Sequence, residues 1–153
     1  MAKKKQNKQS VRISPEKFLK EKANKLPIYK CLISKDYEKG GEAMTVIARE
    51  RGNGKLCVGC FLVDTWCLGV KDAFGNVNME KEEFSERFSQ TPSLEETNYD
   101  FVHNLIYGAI EFAEEADIDP DRSFNTWGNI LAEDTDDIPL MEMDFGKDGK
   151  HVL

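Results

Sequence analysis

The sequence predicts an α+β fold in which a mainly antiparallel sheet packs against a central helix, with two shorter helices beside it. Two patterns predict this class: residues 44–63 have the pattern of a β-hairpin, and residues 95–116 repeat apolar side chains with the 3.6-residue period of a helix. Leu, Ile, Val and Phe supply 37 of the 153 residues, above the share of about 20% below which chains of high net charge stay disordered. The chain can therefore bury a hydrophobic core.

The start of the chain predicts an arm followed by one domain. Residues 1–13 are polar and basic and show no periodicity, so we expect a flexible basic arm here and a single α+β domain over residues 14–153. Residues 14–16 (Ser-Pro-Glu) are a helix-start signal, because Ser caps, Pro suits the first helical position and Glu complements the helix dipole. A short helix should end before Pro27, and residues 28–34 should form a strand.

The clearest local pattern is the β-hairpin. Residues 44–50 are rich in β-branched side chains, and residues 52–54 (Gly-Asn-Gly) supply the positive φ angles of a tight turn. Residues 56–63 return as a nearly continuous apolar strand, which predicts burial on both faces. Residues 64–71 either continue this strand or turn into a third one.

Two further helices are predicted after the hairpin. Asn78 can cap a helix that runs through Phe88, and a longer helix follows over about residues 95–116. The apolar side chains of the longer helix form a wide stripe, so it should lie on the sheet as the central helix of the core.

The last third of the chain gives weaker signals. Residues 117–122 form an acidic loop around Pro120, and residues 124–131 form a short element whose type the pattern does not decide. Residues 139–145 alternate between apolar and polar like a strand. Residues 147–150 have the pattern of a second hairpin turn, with a very short partner strand after it.

The net charge of −7 conceals an uneven distribution. Residues 1–30 carry ten basic and two acidic side chains, a net charge of +8, whereas residues 31–153 carry 11 and 26, a net charge of −15. This asymmetry indicates either an acidic partner for the arm or attraction between the arm and the acidic domain. In the first case the arm is the candidate for non-specific contact with nucleic acid or the ribosome. The residues in question are Lys3, Lys4, Lys5, Lys8 and Arg12.

The sequence predicts a cytoplasmic protein with no membrane partner. No stretch reaches the roughly 18 apolar residues that a membrane helix needs. Residues 6–10 are polar where the apolar part of a signal peptide should lie. In a reducing compartment the four cysteines are expected as thiols rather than as disulfides.

Cys57 and Cys60 have the spacing of a zinc or redox pair, but two buried free thiols fit the pattern better. A structural zinc site needs two thiolates that converge, whereas residues three apart on a strand point to opposite faces. A redox pair would need a helix N-terminus at this point. The acidic residues from 117 onward place Arg122 and Gly128 where a calcium loop requires Gly and Glu. We therefore expect no metal and no cofactor.

His103, Tyr107 and Glu111 recur every four residues and share one stripe of the predicted central helix. Such a stripe supplies acid–base chemistry if it faces a cleft, and otherwise marks the polar boundary of the buried face. Asp64, directly after an apolar strand, is either a catalytic carboxylate or part of a turn. The candidates for a catalytic role are Asp64, Cys67, Lys71, His103, Tyr107 and Glu111.

Two sequence blocks resemble a family of uncharacterised bacterial proteins. Residues 62–71 (LVDTWCLGVK) match an LVD-x-aromatic-CLG-(V/L)-K block, and residues 103–113 (HNLIYGAIEFA) match an H-x-apolar-apolar-YGA-apolar-x-aromatic-A block. The resemblance covers roughly residues 28–150 and leaves the basic arm outside. It implies a relationship without an assigned activity. In that family the positions of Cys57 and Cys60 are usually apolar or Gly, which speaks against zinc.

Two functions from different classes follow from these observations. The first is a small cytosolic binding or accessory protein without catalysis, which contacts nucleic acid or the ribosome through its basic arm. The second is an enzyme of unknown reaction that uses Asp64, His103, Tyr107 and Glu111, whose side chains must then converge on one pocket. The sequence has no Gly-rich phosphate loop, GxSxG elbow or HExxH pair, and this favours the first function.

Overall fold

The computed structural model describes residues 13–153. The basic candidates of the arm lie outside the described residues: Lys3, Lys4, Lys5, Lys8 and Arg12. Within residues 13–153, five antiparallel strands form one sheet in the order β4-β3-β2-β1-β5. In chain order, these strands are β1 (Ile28–Ser34), β2 (Glu42–Gly52), β3 (Lys55–Asp64), β4 (Gly69–Glu80) and β5 (Leu94–Thr97). This sheet and the helices packed on it confirm the predicted α+β fold.

The predicted hairpin forms the centre of the sheet. β2 and β3 pair along their lengths, and the turn between them holds Asn53 and Gly54 at φ angles of 56° and 73°. Asn and Gly adopt this left-handed conformation with less strain than other residues. Every residue from 56 to 61 is buried, as the apolar run predicts. After β3, residues 65–68 form a turn that leads into β4. Of the two alternatives for residues 64–71, the chain thus takes the turn into a third strand.

The first helix begins where its capping signal predicts. In α1 (Pro15–Glu21), the hydroxyl of Ser14 accepts the N–H of Lys17 at 3.1 Å. Phe18 and Leu19 of this helix are buried. A 3₁₀ turn (Ala23–Lys25) then leads into β1, whose bounds are those predicted.

β4 is longer than the sequence predicts, and the prediction of a helix capped by Asn78 is wrong. The strand continues to Glu80, because Met79 lies opposite Leu56 with a side chain only 3% exposed. Burial of this side chain favours one more strand pair over an earlier helix start. The helical residues that follow are α3 (Lys81–Phe84) and a π-turn (Ser85–Ser89).

The central helix is shorter than predicted at its start. Residues 95–97 belong to β5, which pairs with β1, and α4 (Tyr99–Glu114) begins only after Asn98. The side chain of Asn98 accepts the N–H of Phe101 at 2.8 Å and caps the helix. The two glutamates of β5 are exposed, which an edge strand tolerates. α4 lies across one face of the sheet and contacts β1, β3 and β4.

The end of the chain wraps over α4 without joining the sheet. The prediction of a strand over residues 139–145 is wrong, because these residues have no strand partner. The side-chain amide of Asn104 holds them instead, donating to the carbonyl of Pro139 at 2.9 Å and accepting the N–H of Met141 at 3.4 Å. The predicted turn at residues 147–150 is confirmed by the bridge between Lys147 and Lys150. The remaining helical elements are α2 (Tyr37–Gly40), α5 (Phe124–Trp127) and a 3₁₀ turn (Gly128–Ile130).

Hydrophobic side chains pack on both faces of the sheet. One cluster lies between the sheet, α1 and α4 and includes Phe61, Ile106 and Ile130. A second cluster lies on the opposite face, where Phe84 and partly buried Phe88 cover the sheet. In the part of the chain that the structure describes, no helix combines the length and apolar character needed to cross a membrane.

Candidate functional site

A chain of hydrogen bonds links α4 to the loop that follows the 3₁₀ turn at Gly128–Ile130. The N–H of Ala132 lies 2.7 Å from the phenol oxygen of Tyr99, and this oxygen lies 2.8 Å from Nδ1 of His103. Nε2 of His103 lies 3.0 Å from a carboxylate oxygen of Asp134. His103 itself is 1% exposed. Four groups from two segments are thus joined around one buried imidazole.

The chemistry of these groups fixes the direction of the proton donors. An ionised carboxylate only accepts, so Nε2 of His103 carries a proton and donates to Asp134. In the neutral ring Nδ1 is then unprotonated and accepts the hydroxyl proton of Tyr99, whose oxygen also accepts the N–H of Ala132. His103 is therefore held as one tautomer, with both nitrogens occupied.

A buried arginine lies beside this chain. Arg49 of β2 is 4% exposed, and its guanidinium carbon lies 5.4 Å from the centre of the Tyr99 ring. Its Nε donates to the carbonyl of Ile130 at 2.8 Å, and Nη1 donates to the carbonyl of Leu26 at 2.6 Å. Burial lowers the pKa of Arg49, and the neighbouring phenol of Tyr99 opposes that shift. Arg49 thus ties together the segments before β1 and after α5.

Burial also favours the protonated form of Tyr99 and Tyr107. It raises the pKa of Tyr99 to about 12, although the N–H of Ala132 and the charge of Arg49 act in the opposite direction. The pKa of Tyr107 is raised as well, first by burial and then by the charge of Asp134. Both side chains are therefore neutral phenols at physiological pH.

Tyr107 and Glu111 line an open cavity of about 280 Å³ on the outer side of this network. Asp134 lies on its wall, so the carboxylate that holds His103 also faces the cavity. The ring of Tyr107 packs 4.8 Å from that of His103. The full set of lining residues is Asn104, Tyr107, Gly108, Glu111, Asp134, Leu140, Met141, Glu142, Met143 and Phe145. The stripe predicted from the sequence thus lies between a cavity and the core.

The other three sequence candidates lie in a different place. The carboxylate of Asp64 accepts the N–H groups of Trp66 and Leu68 at 3.0 and 3.1 Å and closes the turn between β3 and β4. Cys67 is buried within this turn, and Lys71 forms an ion pair with Glu42. None of the three lines the cavity at Tyr107. The structure therefore brings together His103, Tyr107 and Glu111 and leaves Asp64, Cys67 and Lys71 apart from them.

The four cysteines are buried free thiols, as predicted. Cys57 belongs to the cluster under α4 and Cys60 to the cluster on the opposite face, so the two do not converge. Burial raises the pKa of Cys57 to about 11 and that of Cys60 to about 12. It also raises the pKa of Cys31 to about 12. Over residues 13–153, no group of three His, Cys, Asp or Glu side chains has the arrangement of a metal site.

Two members of this network, Asp134 and Arg49, are not among the residues predicted from the sequence. Asp134 lies in the acidic run of residues 133–137, and nothing local distinguishes it from its neighbours. The position of Arg49 in the sequence, by contrast, could have identified it as buried. It follows Thr45 and Ile47 at alternate positions of β2, and alternation places all three on the same face of a strand. A charged residue at an inward position indicates a buried hydrogen-bonding role.

The two sequence blocks at residues 62–71 and 103–113 pack against each other. Residues 62–71 form the end of β3, the turn and the start of β4, and residues 103–113 form most of α4. Gly69 makes the contact, because a Cβ there would lie 3.1 Å from that of Ala113 and 3.2 Å from the carbonyl of Ala109. These residues therefore bring α4 close to the sheet.

Comparisons with protein-family models, with curated proteins and with solved structures give no match to this chain.

Proposed function

We propose that this chain is a small cytosolic binding protein without catalysis, which contacts nucleic acid or the ribosome through its first twelve residues. The observation that carries the proposal is the division of charge. Residues 1–12 hold five basic and no acidic side chains, whereas residues 13–153 hold 16 basic and 28 acidic ones. Phosphate groups attract the first segment and are repelled by the rest of the chain.

The contacts of the candidate site give additional support. An acid–base catalyst needs a side chain that can reach substrate, but both nitrogens of His103 are already bonded and the ring is 1% exposed. The carboxylate of Asp64 accepts two backbone N–H groups in its own turn. These groups are therefore used to hold the fold together.

The alternative is an enzyme of unknown reaction that uses Asp64, His103, Tyr107 and Glu111. Its support is the cavity that Tyr107 and Glu111 share with Asp134. Its weakness is that Asp64 does not line this cavity, while His103 is reached only through Asp134. The binding function has the stronger support.

The test measures binding of the full chain to a fluorescently labelled single-stranded RNA by anisotropy, over a series of salt concentrations. Five basic side chains neutralise at most five phosphates, so the plot of log K against log salt should have a slope of about −3.5 or shallower. A variant with Gln at all five basic positions of residues 1–12 should lose most of this binding.

A matched control removes the same amount of charge from the rest of the chain. It replaces five exposed basic residues with Gln: Lys35, Lys39, Arg87, Arg122 and Lys150. If the proposal is right, this control binds RNA about as well as the unaltered chain. Equal losses in the two variants, or no salt-dependent binding by the unaltered chain, would refute the proposal.

A further inference from the structure

Three half-buried aromatic rings surround a second open cavity of about 350 Å³. Tyr37 comes from α2, Trp66 from the turn between β3 and β4, and Phe101 from the first turn of α4. Residues 142–144 and Gly146 complete its wall, and Glu142 and Met143 also line the cavity at Tyr107. Each ring is therefore partly in the core and partly open to a ligand.

The fold fixes these rings in place. Trp66 lies directly against Gly41, where a Cβ would come within 2.4 Å of the indole, and Gly41 has a φ angle of +80°. The carbonyl of Trp66 accepts the N–H of Val152 at 3.1 Å. The rings of Tyr37 and Phe101 meet edge to face with their centres 6.5 Å apart. A ligand would thus meet preformed aromatic surfaces.

The charged side chains that line the cavity all have the same sign. Glu38, Glu142 and Asp144 line it, and no Lys, Arg or His is among the described residues of its wall. The pKa of Tyr37 is raised by burial and by the charge of Glu38, so its ring stays a neutral phenol. The cavity therefore combines aromatic side chains with negative charge.

One cation of the chain already lies against these aromatics. The ammonium of Lys147, which is not part of the cavity wall, lies 5.3 Å from the centre of the Trp66 ring. An ammonium group within about 6 Å of a Trp ring is attracted by its quadrupole, and Trp is the best ring for this contact. The indole is thus placed where it attracts cations.

We propose that the cavity formed by Tyr37, Trp66 and Phe101 binds an organic cation, a quaternary ammonium or guanidinium group with an apolar body. The rings contact the alkyl or planar surface of such a group, and the three carboxylates balance its charge. This site is separate from the proposed contact with nucleic acid. That contact can fail in the experiment above without affecting this one.

The test titrates the full chain with choline and, in parallel, with 3,3-dimethylbutan-1-ol, the uncharged compound of the same shape. Binding is followed by NMR at the indole N–H of Trp66, with that of Trp127 as an internal reference because Trp127 does not line this cavity. Choline should give saturable shifts at Trp66, whereas the alcohol should give none. Absence of saturable shifts, or equal binding of the two compounds, overturns the proposal.

Two pairs of substitutions separate this site from general attraction to an acidic protein. E142Q/D144N removes two carboxylates from the wall and should weaken choline binding about threefold to tenfold. The control E82Q/E86Q removes two exposed carboxylates of the region after β4 and should leave it unchanged. Equal effects of the two pairs would contradict the proposal. Trp66→Leu should abolish binding, which is followed in this variant at the backbone N–H of Phe101 because the reporter indole is gone. Thermal unfolding shows whether that variant is folded.

The cation has two possible sources, a free organic cation or a basic side chain of residues 1–12, among which Arg12 supplies a guanidinium. A full-chain variant with Gln at those basic positions distinguishes them. Tighter choline binding by this variant supports the proposal and shows that the basic side chains of residues 1–12 compete with choline for the cavity. Unchanged binding supports it with a free cation as ligand. The substituted positions are Lys3, Lys4, Lys5, Lys8 and Arg12.

Discussion

The hydroxyl oxygen of Tyr99 and Nδ1 of His103 share a hydrogen bond of 2.8 Å. The phenol oxygen also accepts the N–H of Ala132. Because an ionised carboxylate only accepts, Nε2 of His103 donates to Asp134, and Nδ1 of the neutral ring accepts from Tyr99. The carboxylate of Asp134 thus sets the tautomer of the neutral histidine, and the bonds of Tyr99 and His103 hold the loop at residues 132–134 against α4.

Replacement of Tyr99 with Phe should destabilise the protein. Without the hydroxyl, Nδ1 of His103 and the N–H of Ala132 both lose their partner, and a buried unpaired group costs about 1–3 kcal/mol. The measurement is the free energy of unfolding in urea. Tyr29→Phe is the matched control, since Tyr29 is half-buried and packs edge to face on Phe84. A Tyr99→Phe variant as stable as this control would contradict the network.

The tautomer of His103 is a separate prediction that needs no substitution. In ¹⁵N NMR spectra of the neutral imidazole, Nδ1 should give the signal of an unprotonated nitrogen and Nε2 that of a protonated one. The reason is that Nδ1 accepts from Tyr99 whereas Nε2 donates to Asp134. A protonated Nδ1 in the neutral ring would show that the hydrogen bonds run the other way.

Replacement of Arg49 should cost more than replacement of an exposed arginine. Arg49→Met leaves the carbonyls of Leu26 and Ile130 without a donor, and we expect a loss of about 2–4 kcal/mol in the free energy of unfolding. Arg49→Lys should lose less, because an ammonium can reach one of the carbonyls. The control Arg87→Met concerns an exposed residue and should change stability by less than about 0.5 kcal/mol. Equal losses at the two positions would contradict this role for Arg49.

Local patterns in the sequence predict those elements whose own residues decide their structure. The hairpin turn at Asn53 and Gly54 and the cap at Ser14 are of this kind, because short-range backbone preferences fix them. The start of α4 and the end of β4 are not. Residues 95–97 pair with β1, and Met79 packs opposite Leu56. Contacts with other strands thus override helical periodicity at both boundaries.

Local sequence patterns predict even less of the candidate site than of the fold. The period of four in His103, Tyr107 and Glu111 predicts their shared stripe, which the structure places beside one cavity. The partner of the histidine could not be predicted, because Asp134 lies 31 residues away in a run of acids. The aromatic cavity is also beyond local pattern, since Tyr37, Trp66 and Phe101 come from three separate elements.

Two adjacent glycines provide a further matched test. Gly41 has a φ angle of +80° and lies against Trp66, whereas a Cβ at Gly40 would meet nothing within 4 Å. Gly41→Ala should therefore lower the free energy of unfolding by about 2 kcal/mol, from left-handed strain and from displacement of the indole. Gly40→Ala, at the end of α2, should be neutral or slightly stabilising. Urea denaturation measures both, and a Gly41→Ala variant as stable as Gly40→Ala would show that Trp66 moves freely.

The buried thiols predict how stability depends on pH. Burial raises the pKa of Cys60 from 9.0 to about 12, so between these values the unfolded chain loses this proton while the folded chain keeps it. The thiol's contribution is therefore fully present below pH 9 and is lost as the pH rises toward 12. Relative to Cys60→Ala, which lacks this proton, the wild type should lose about 1.4 kcal/mol of unfolding free energy per pH unit above pH 9. Urea denaturation at a series of pH values measures the difference, which should stay constant below pH 8. A constant difference up to pH 11 would mean that the thiol ionises equally in the folded and unfolded chains.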